Sequence, residues 1–384
     1  MAKEGTPAVQ GNYISEWFGH RVFPSVAGGE RALADQNTGR CPFLSDAVGR
    51  TLPCVKPASS KGVCSISSSS NRRRQDWLVC PHRALVPDLL EDVARRLFGS
   101  KKDLPPLMVS APALAADSVR KKVEAGVAAG RTVAVYLQEK LGGEISVPRT
   151  DRSPEFSFDI TLAQILRTSR GVAVSRYGIL EVQTMDFHGS YREAVRNLTD
   201  GLRLHRKDFQ KTIRERPDWL SQDIEGPNIA NVFKRTFYQM IFKFRLAEHP
   251  SCAGCVLALP TAVWDSWQRH LGRPELQPRS DGTYLLRSDG GSSARRATTG
   301  SPAWIYVFEP AADSSTSPNP IRVERVIATD AEAVAHYALK VAADAAVGVG
   351  GAADALMGQV RDRLSRWWPS LHAPEPTPPD GIGQ

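Results

Sequence analysis

At 384 residues, 41% of them hydrophobic, the chain is long enough to bury a core in one large domain with a small satellite or in two ordinary domains, which excludes a disordered or fibrous polypeptide. A formal charge of +8 and a pI near 9.2 favour polyanionic partners, although the same excess suits many basic proteins that never touch DNA. No apolar stretch approaches the length of a membrane span and MAKEGTPAVQGNY lacks the apolar centre of a secretion signal, so cytoplasmic residence is the default expectation.

Residues 1 to about 85 are turn-rich and hold four of the six cysteines. Cys41, Cys54, Cys64 and Cys80 are separated by 12, 9 and 15 residues, and Cys41 and Cys80 each precede a proline. In a reducing compartment such residues are thiols or metal ligands rather than disulfides. The spacing is not the Cys-x-x-Cys pairing of ordinary zinc fingers, yet four thiolates suit a tetrahedral zinc or iron site. The intervening turns, rich in Gly, Pro, Ser and Asn, carry too little apolar content to fold unaided. Spacing alone leaves a metal site and plain buried thiols equally open. SISSSSNRRR at 65–74 reads as a polar, basic loop, either a solvated connection or a phosphate contact.

VPDLLEDVARRLF at 86–98 places Leu89, Leu90, Val93 and Leu97 at helical spacing behind a proline and an aspartate. SAPALAADSVRKKVEAGVAAG predicts a second helix and RTVAVYLQE at 131–139 a strand. IANVFKRTFYQMIFKFRL at 229–246 repeats Phe233, Phe237, Met240, Ile241 and Phe244 down one helical face, for the core or a dimer interface, and leaves Lys234, Arg235 and Lys243 on other faces, either as contacts to DNA phosphate or as a plain charged outer face. Cys252 and Cys255 read as a turn entering a buried strand, AWIYVFEP at 303–310 as a late strand, and AEAVAHYALKVAADAAV as an alanine-rich helix. The order helix, helix, strand pair, helix suits an α/β (α+β) fold with a mixed central sheet flanked by helices. Three regions follow: 1–85 with the cysteines, 86–370 as the core, and a proline-rich, disordered tail at 371–384.

The chemistry concentrates in PEFSFDITLAQILRTSRGVAVSRYGILEVQTMDFHGSY, residues 154–191, where Asp159 sits in one short apolar run and Glu181 and Gln183 in the next. Side chains alternate faces along a strand, so Tyr177, Ile179, Glu181 and Gln183 share one side while Leu180 and Val182 take the other. A carboxylate inside such a strand loses hydration that a cation, a proton or a strong donor must replace, which makes Mg²⁺ binding a physically motivated reading. Two half-exposed acidic residues on an edge strand are the bland alternative. Glu144 follows the glycine pair of KLGGE, a sharp turn able to bring a third carboxylate toward Asp159, or simply a solvated residue. Asp186, His188, Ser190 and Tyr191, just past the Glu-x-Gln, either face a groove as contacts to bases and phosphate or cap the helix that begins near Tyr191.

Asp, about twenty residues, then Glu-x-Lys or a variant is the pattern that this region resembles: the PD-(D/E)XK nuclease core of many type II restriction endonucleases. It departs twice, with Phe158 in place of the proline and Gln183 in place of the lysine. QEKLGGEIS, SPEFSFDITLA, RYGILEVQTMDFHGSY, EGPNIANVFKRTFYQMIFKF, CPFL and DWLVCP are similar, more narrowly, to the NotI-like, rare-cutting restriction endonucleases. That resemblance implies a homodimeric bacterial enzyme hydrolysing both strands of double-stranded DNA, alongside a DNA methyltransferase that is a functional rather than a physical partner. It implies catalytic Mg²⁺ on Asp159 and Glu181, with the Val182 carbonyl a further ligand, Glu144 a candidate second metal position, and Gln183 orienting water or phosphate, since a neutral amide is no general base. It implies structural iron, or zinc, on Cys41, Cys54, Cys64 and Cys80, and a recognition site 5′-GCGGCCGC cut to 5′ overhangs. Lys234 and Arg235 join Asp186, His188, Ser190 and Tyr191 as candidate DNA contacts. The competing expectations are a four-cysteine DNA-binding protein with an inert nuclease-like sheet and a structure-selective repair nuclease.

Overall fold

The computed structural model describes residues 11–24, 29–70, 73–101, 103–288, 303–311 and 316–368. The N-terminal stretch folds as β1 (Tyr13–Trp17), β2 (His20–Arg21), α1 (Glu30–Thr38), α2 (Pro42–Val48), β3 (Val63–Ser70) and β4 (Arg73–Leu78). Its four strands pair antiparallel in the order β2-β1-β3-β4. The expected loop at 65–74 is therefore a strand hairpin: Ser65, Ser67 and Ser68 are buried in the ladder, where serine's small hydroxyl finds partners such as the Glu16 carboxylate.

The apolar residues of this stretch find their partners elsewhere in the chain. Ile14, Trp17, Phe18, Val22, Val63 and Ile66 form a core with Ala194, Leu198, Leu202, Phe209 and Ile213, more than a hundred residues downstream. A fully buried Arg83 donates to Glu16 Oε2 and Oε1 at 2.8 and 2.9 Å and to the Asn319 carbonyl at 2.6 Å, tying this sheet to the C-terminal strands. The Glu16 carboxylate compensates the guanidinium charge, and its loss would leave an uncompensated buried charge.

The chain continues with α3 (Pro87–Phe98), β5 (Leu107–Ser110), α4 (Asp117–Ala128), β6 (Val133–Gln138), β7 (Ile145–Val147), β8 (Phe156–Phe158), β9 (Ile160–Thr168), β10 (Gly171–Val182) and β11 (Phe187–Gly189). Then come α5 (Arg192–Leu204), α6 (Phe209–Glu215), β12 (Ile224–Pro227), α7 (Ile229–Leu246), β13 (Cys252–Pro260), α8 (Thr261–His270), β14 (Gln277–Pro278) and β15 (Tyr284–Leu285). β16 (Ala303–Pro310), β17 (Ile321–Thr329), α9 (Ala331–His336), α10 (Ala342–Val347) and α11 (Ala352–Ser365) complete it. The proline-led helix at 87–98, the strand at 133–138, the late strand at 303–310 and the alanine-rich helix stand as expected, the last broken by a π-helical turn at Tyr337–Val341. Cys252 and Cys255 lie within β13 itself rather than in a turn before it. The tail at 371–384 and most of the Ser/Arg-rich stretch near 288–300 lie outside the described residues.

Nine strands form one mixed sheet, ordered β14-β15-β17-β16-β13-β10-β9-β6-β5. β10 and β13 run parallel, as do β13 and β16, while β9 is antiparallel to both β6 and β10. Helices cover both faces, so the central strands are apolar on both sides and alternate in where their side chains go. Leu180, Val182, Val256 and Ala258 pack with Leu89, Leu90 and Val93 of α3 and with Cys41 and Cys64 of the N-terminal region. Ile179, Cys255, Leu257 and Leu259 pack with Met240 and Phe244 of α7 and Trp264 and Trp267 of α8. No single described helix is long and apolar enough to cross a membrane.

Candidate active site

β10 lies inside the sheet, between β9 and β13, which removes the edge-strand alternative for Glu181. Residues of one parity on β10 feed the α3 face and those of the other feed the α7 face; Glu181 follows Ile179 to the α7 side. Asp159 occupies the bend between β8 and β9, where the chain leaves the short β7–β8 ribbon and enters the large sheet. The antiparallel register sets Leu180 opposite Ile160, so the two carboxylates stand side by side at the end of this strand pair.

They share backbone as well as position. The Val182 amide donates to Asp159 Oδ2 at 2.9 Å, and the Asp159 amide donates to Glu181 Oε1 at 3.4 Å. Both carboxyls line the floor of an open groove of about 850 Å³, whose walls come from the β7–β8 ribbon, the 182–186 segment and α7. Glu181 is pushed up to about 7, by burial first and by the charge of Asp159 second, against the opposing ammonium of Lys243. Asp159 is also raised, by burial first; the Val182 amide and Lys243 oppose the shift and the charge of Glu144 adds to it. Two carboxyls raised together by burial and mutual repulsion form a site that gains from a cation.

Lys243 already supplies one charge. Its Nζ donates to Glu181 Oε2 at 2.5 Å and stands 5.5 Å from the centre of the Phe158 ring, with 5% of its side chain exposed. The expectation that Lys243 faces outward is overturned: residues 236, 240, 243 and 247 form one row along α7, and that row faces the sheet. Thr236, one end of the row, donates to Gln183 Oε1, and Gln183 Nε2 donates to the Thr184 carbonyl at 2.5 Å. Gln183 sits one residue beyond β10, with its amide donating to Ala258 O at 2.8 Å, and its side chain is held by these neighbours instead of reaching freely into the groove. Sequence reasoning put Lys243 on the wrong face of the helix and did not single out Thr236. The signal was their i, i+4, i+7 spacing with Met240.

Gly142 and Gly143 have φ of +91° and +94°, a left-handed pair that turns the chain so that exposed Glu144 reaches the groove mouth. Asp186 lines the groove, and its carbonyl accepts from the Asn228 amide at 2.9 Å. His188 and Ser190 are exposed at β11, the Ser190 hydroxyl accepting from the Arg192 amide at 3.2 Å as α5 begins. Tyr191 occupies the N-cap position of α5 without a side-chain capping hydrogen bond, and burial pushes its phenol up to about 12. The side chains of Lys234 and Arg235, on α7, fall outside the described residues.

On the opposite side of the sheet, Cys41, Cys54, Cys64 and Cys80 line one cavity of about 10 Å³ together with Lys56 and His82. Each arrives from a different turn: Cys41 caps α2, Cys54 accepts the Gly62 amide at 3.3 Å, Cys64 is on β3, and Cys80 precedes a short 3₁₀ turn. Burial pushes the Cys41 thiol up to about 12 and raises Cys64 and Cys80 as well, with the other thiols adding to each shift. Among the described residues no group of three or more His, Cys, Asp or Glu side chains stands close enough together to hold a metal ion, either here or in the groove. No family model and no curated protein matches the chain.

Proposed function

We propose that the chain is a Mg²⁺-dependent type II restriction endonuclease on a PD-(D/E)XK core, hydrolysing both strands of double-stranded DNA in the bacterial cytoplasm. One observation carries the reading: two buried carboxyls from adjacent strands, Asp159 and Glu181, meet at the floor of an open, polar groove in a chain of charge +8. The donor set fits a hard cation, being two carboxylates beside backbone carbonyls and open to water. Asp159 and Glu181 would hold it, with the Val182 carbonyl adjacent; when bound, it supplies Lewis acidity and a more acidic water. In the reaction the water oxygen bonds to phosphorus as the bond to the leaving sugar oxygen breaks. One proton passes to solvent and the leaving oxygen takes one up. Thr236 and the Thr184 carbonyl keep Gln183 in place beside the carboxyls, and the Val182 amide holds Asp159 in its rotamer.

Four thiols around one cavity are the donor set that a soft cation, zinc or iron, takes; Cys41, Cys54, Cys64 and Cys80 would hold it once drawn together, its charge replacing the protons that burial now enforces. That site is structural, since it lies on the other face of the sheet from the carboxyls. Cutting both strands of a two-fold symmetric sequence calls for two copies of the groove. α11 offers a surface for the second copy, because Leu356, Val360 and Leu364 repeat along a helix with no buried residue, followed by Trp367 at 89% exposure. Val360→Glu combined with Leu364→Glu is expected to give monomers in sedimentation velocity; an unchanged dimer would remove α11 from the interface.

Digestion of duplex DNA of known sequence with Mg²⁺, followed by sequencing of the ends, tests the activity. Discrete products from linear duplex support it; a gel shift without products supports a binding protein with an inert sheet; and cutting confined to branched or single-stranded DNA supports a repair nuclease. A plasmid with one 5′-GCGGCCGC and several isolated CGGCCG sites then tests the octamer, which a single cut supports and cutting at every CGGCCG replaces with the hexamer.

A further inference from the structure

The Glu-x-Gln motif has no lysine at its third position, and α7 brings one to it. Burying a lysine head costs several kcal/mol unless its charge is matched, so a lysine with 5% side-chain exposure marks a place where a positive charge is wanted. Lys243 is also not a packing accident of the helix. Met240 and Phe244 beside it already bury apolar surface against the sheet, and its ammonium is delivered past them to Glu181 Oε2 rather than to solvent. It lines the same groove as Asp159, Glu181 and Gln183.

We infer that Lys243 is a catalytic residue of the groove, its ammonium meeting the non-bridging oxygen of the phosphate under attack; the inference rests on the nuclease reading. The geometry supports the contact. An oxygen that shares an octahedral divalent cation with a carboxylate oxygen lies about 3 Å from it. Lys243 Nζ is already 2.5 Å from Glu181 Oε2, so a phosphate oxygen bound beside Glu181 falls within its hydrogen-bonding reach. Gln183, which follows Glu181 by two positions, has its carbonyl oxygen engaged by Thr236 and one amide hydrogen by Thr184, and carries no charge with which to replace the ammonium. The cation that stabilises growing negative charge on the phosphate thus comes from a helix more than fifty residues after the carboxyl that it serves.

The test is single-turnover cleavage of duplex DNA by Lys243→Met, Lys243→Gln and Lys243→Arg, with DNA affinity measured separately in the absence of divalent metal. Lys243→Met keeps the length and removes the charge, and its rate is expected to fall about 100-fold with affinity and melting temperature little changed. Lys243→Arg, which restores the charge, is expected to recover part of the rate, an outcome that a packing role would not produce. If the Met variant does not fold, Lys243→Gln, which keeps a donor for Glu181 without charge, carries the same expectation. A folded Met or Gln variant cutting within about threefold of wild type overturns the assignment. Wild-type protein that leaves duplex DNA uncut overturns the nuclease reading, whereas a cutting wild type beside equally active Lys243 variants overturns this inference alone.

Discussion

The carboxyl groove and the cysteine cavity sit on opposite faces of one sheet and bury ionisable groups in opposite ways. In the groove, two raised carboxyls are set beside a lysine and face an open space of about 850 Å³. In the cavity, four thiols surround about 10 Å³, with Cys41 at about 12 and Cys64 and Cys80 raised by burial; Lys56 lines the cavity too, but its Nζ donates to the Val63 and Val79 carbonyls at 2.9 and 3.0 Å. One arrangement is partly charged and accessible, fit for a ligand that comes and goes. The other is small, and burial favours the protonated form of Cys41, Cys64 and Cys80; under the proposed function it takes up its ion once, as the chain folds. The difference lies in access and in the chemistry of the donors rather than in the number of ionisable groups.

The largest effect that separates them is on catalysis. Asp159→Ala and Glu181→Ala are each expected to cut cleavage by at least about 1,000-fold in a gel assay while specific DNA binding survives, since the groove carboxyls hold the reacting centre rather than the bases. Either variant cutting near the wild-type rate would make the groove an ordinary buried ion-pair site. The cysteines should show the reverse pattern. Cys54→Ser is expected to lower stability by about 2–4 kcal/mol in denaturant melts and to release zinc or iron detectable by elemental analysis, with cleavage falling only as folding does. Purified wild-type protein containing neither metal would leave the cavity as a cluster of buried thiols.

The pH response should divide the two regions next. Glu181 holds its proton up to about pH 7, above the ordinary carboxylate value of 4.5, so a cation must displace that proton at lower pH. Mg²⁺ affinity in the groove should therefore fall by up to about tenfold per pH unit below about pH 7 and level off above it, measured by calorimetry without DNA. In the cysteine site burial pushes Cys41 up to about 12 and raises Cys64 and Cys80, so its metal affinity should keep climbing through pH 9 with no plateau. Matching profiles at both sites would erase the contrast. The smallest effect is at Gln183, where Gln183→Ala should slow cleavage by less than about tenfold, because it removes hydrogen bonds to Thr236 and Thr184 and no charge. A loss as large as that of Glu181→Ala would show that the amide contacts the reacting groups.

The strand pair was legible because period-2 alternation is a local property. Ile179 and Glu181 against Leu180 and Val182 already state which side chains share a face, and the distance from Asp159 is what a strand, a turn and a returning strand require. Lys243 was not legible in the same way. A charged residue on an amphipathic helix faces outward unless a carboxylate stands opposite, and that carboxylate lies 62 positions earlier. The N-terminal strands at 63–78 were not legible for a related reason: Leu198, Leu202, Phe209 and Ile213, which complete the core of their sheet, come from another part of the chain.

By itself the sequence determined the mixed α/β character, the helices and strands with strong local periodicity, and the two carboxyls that burial would force to find a partner. Only the tertiary structure decided that β10 is an interior strand, that four scattered cysteines meet at one cavity, that Gln183 is held by α7, and that Lys243 turns inward to Glu181. The reason is physical. Alternation and helical period act between neighbours in the chain, whereas the cost of burying a charge is set by whatever the fold brings beside it, and that neighbour can lie anywhere in the sequence.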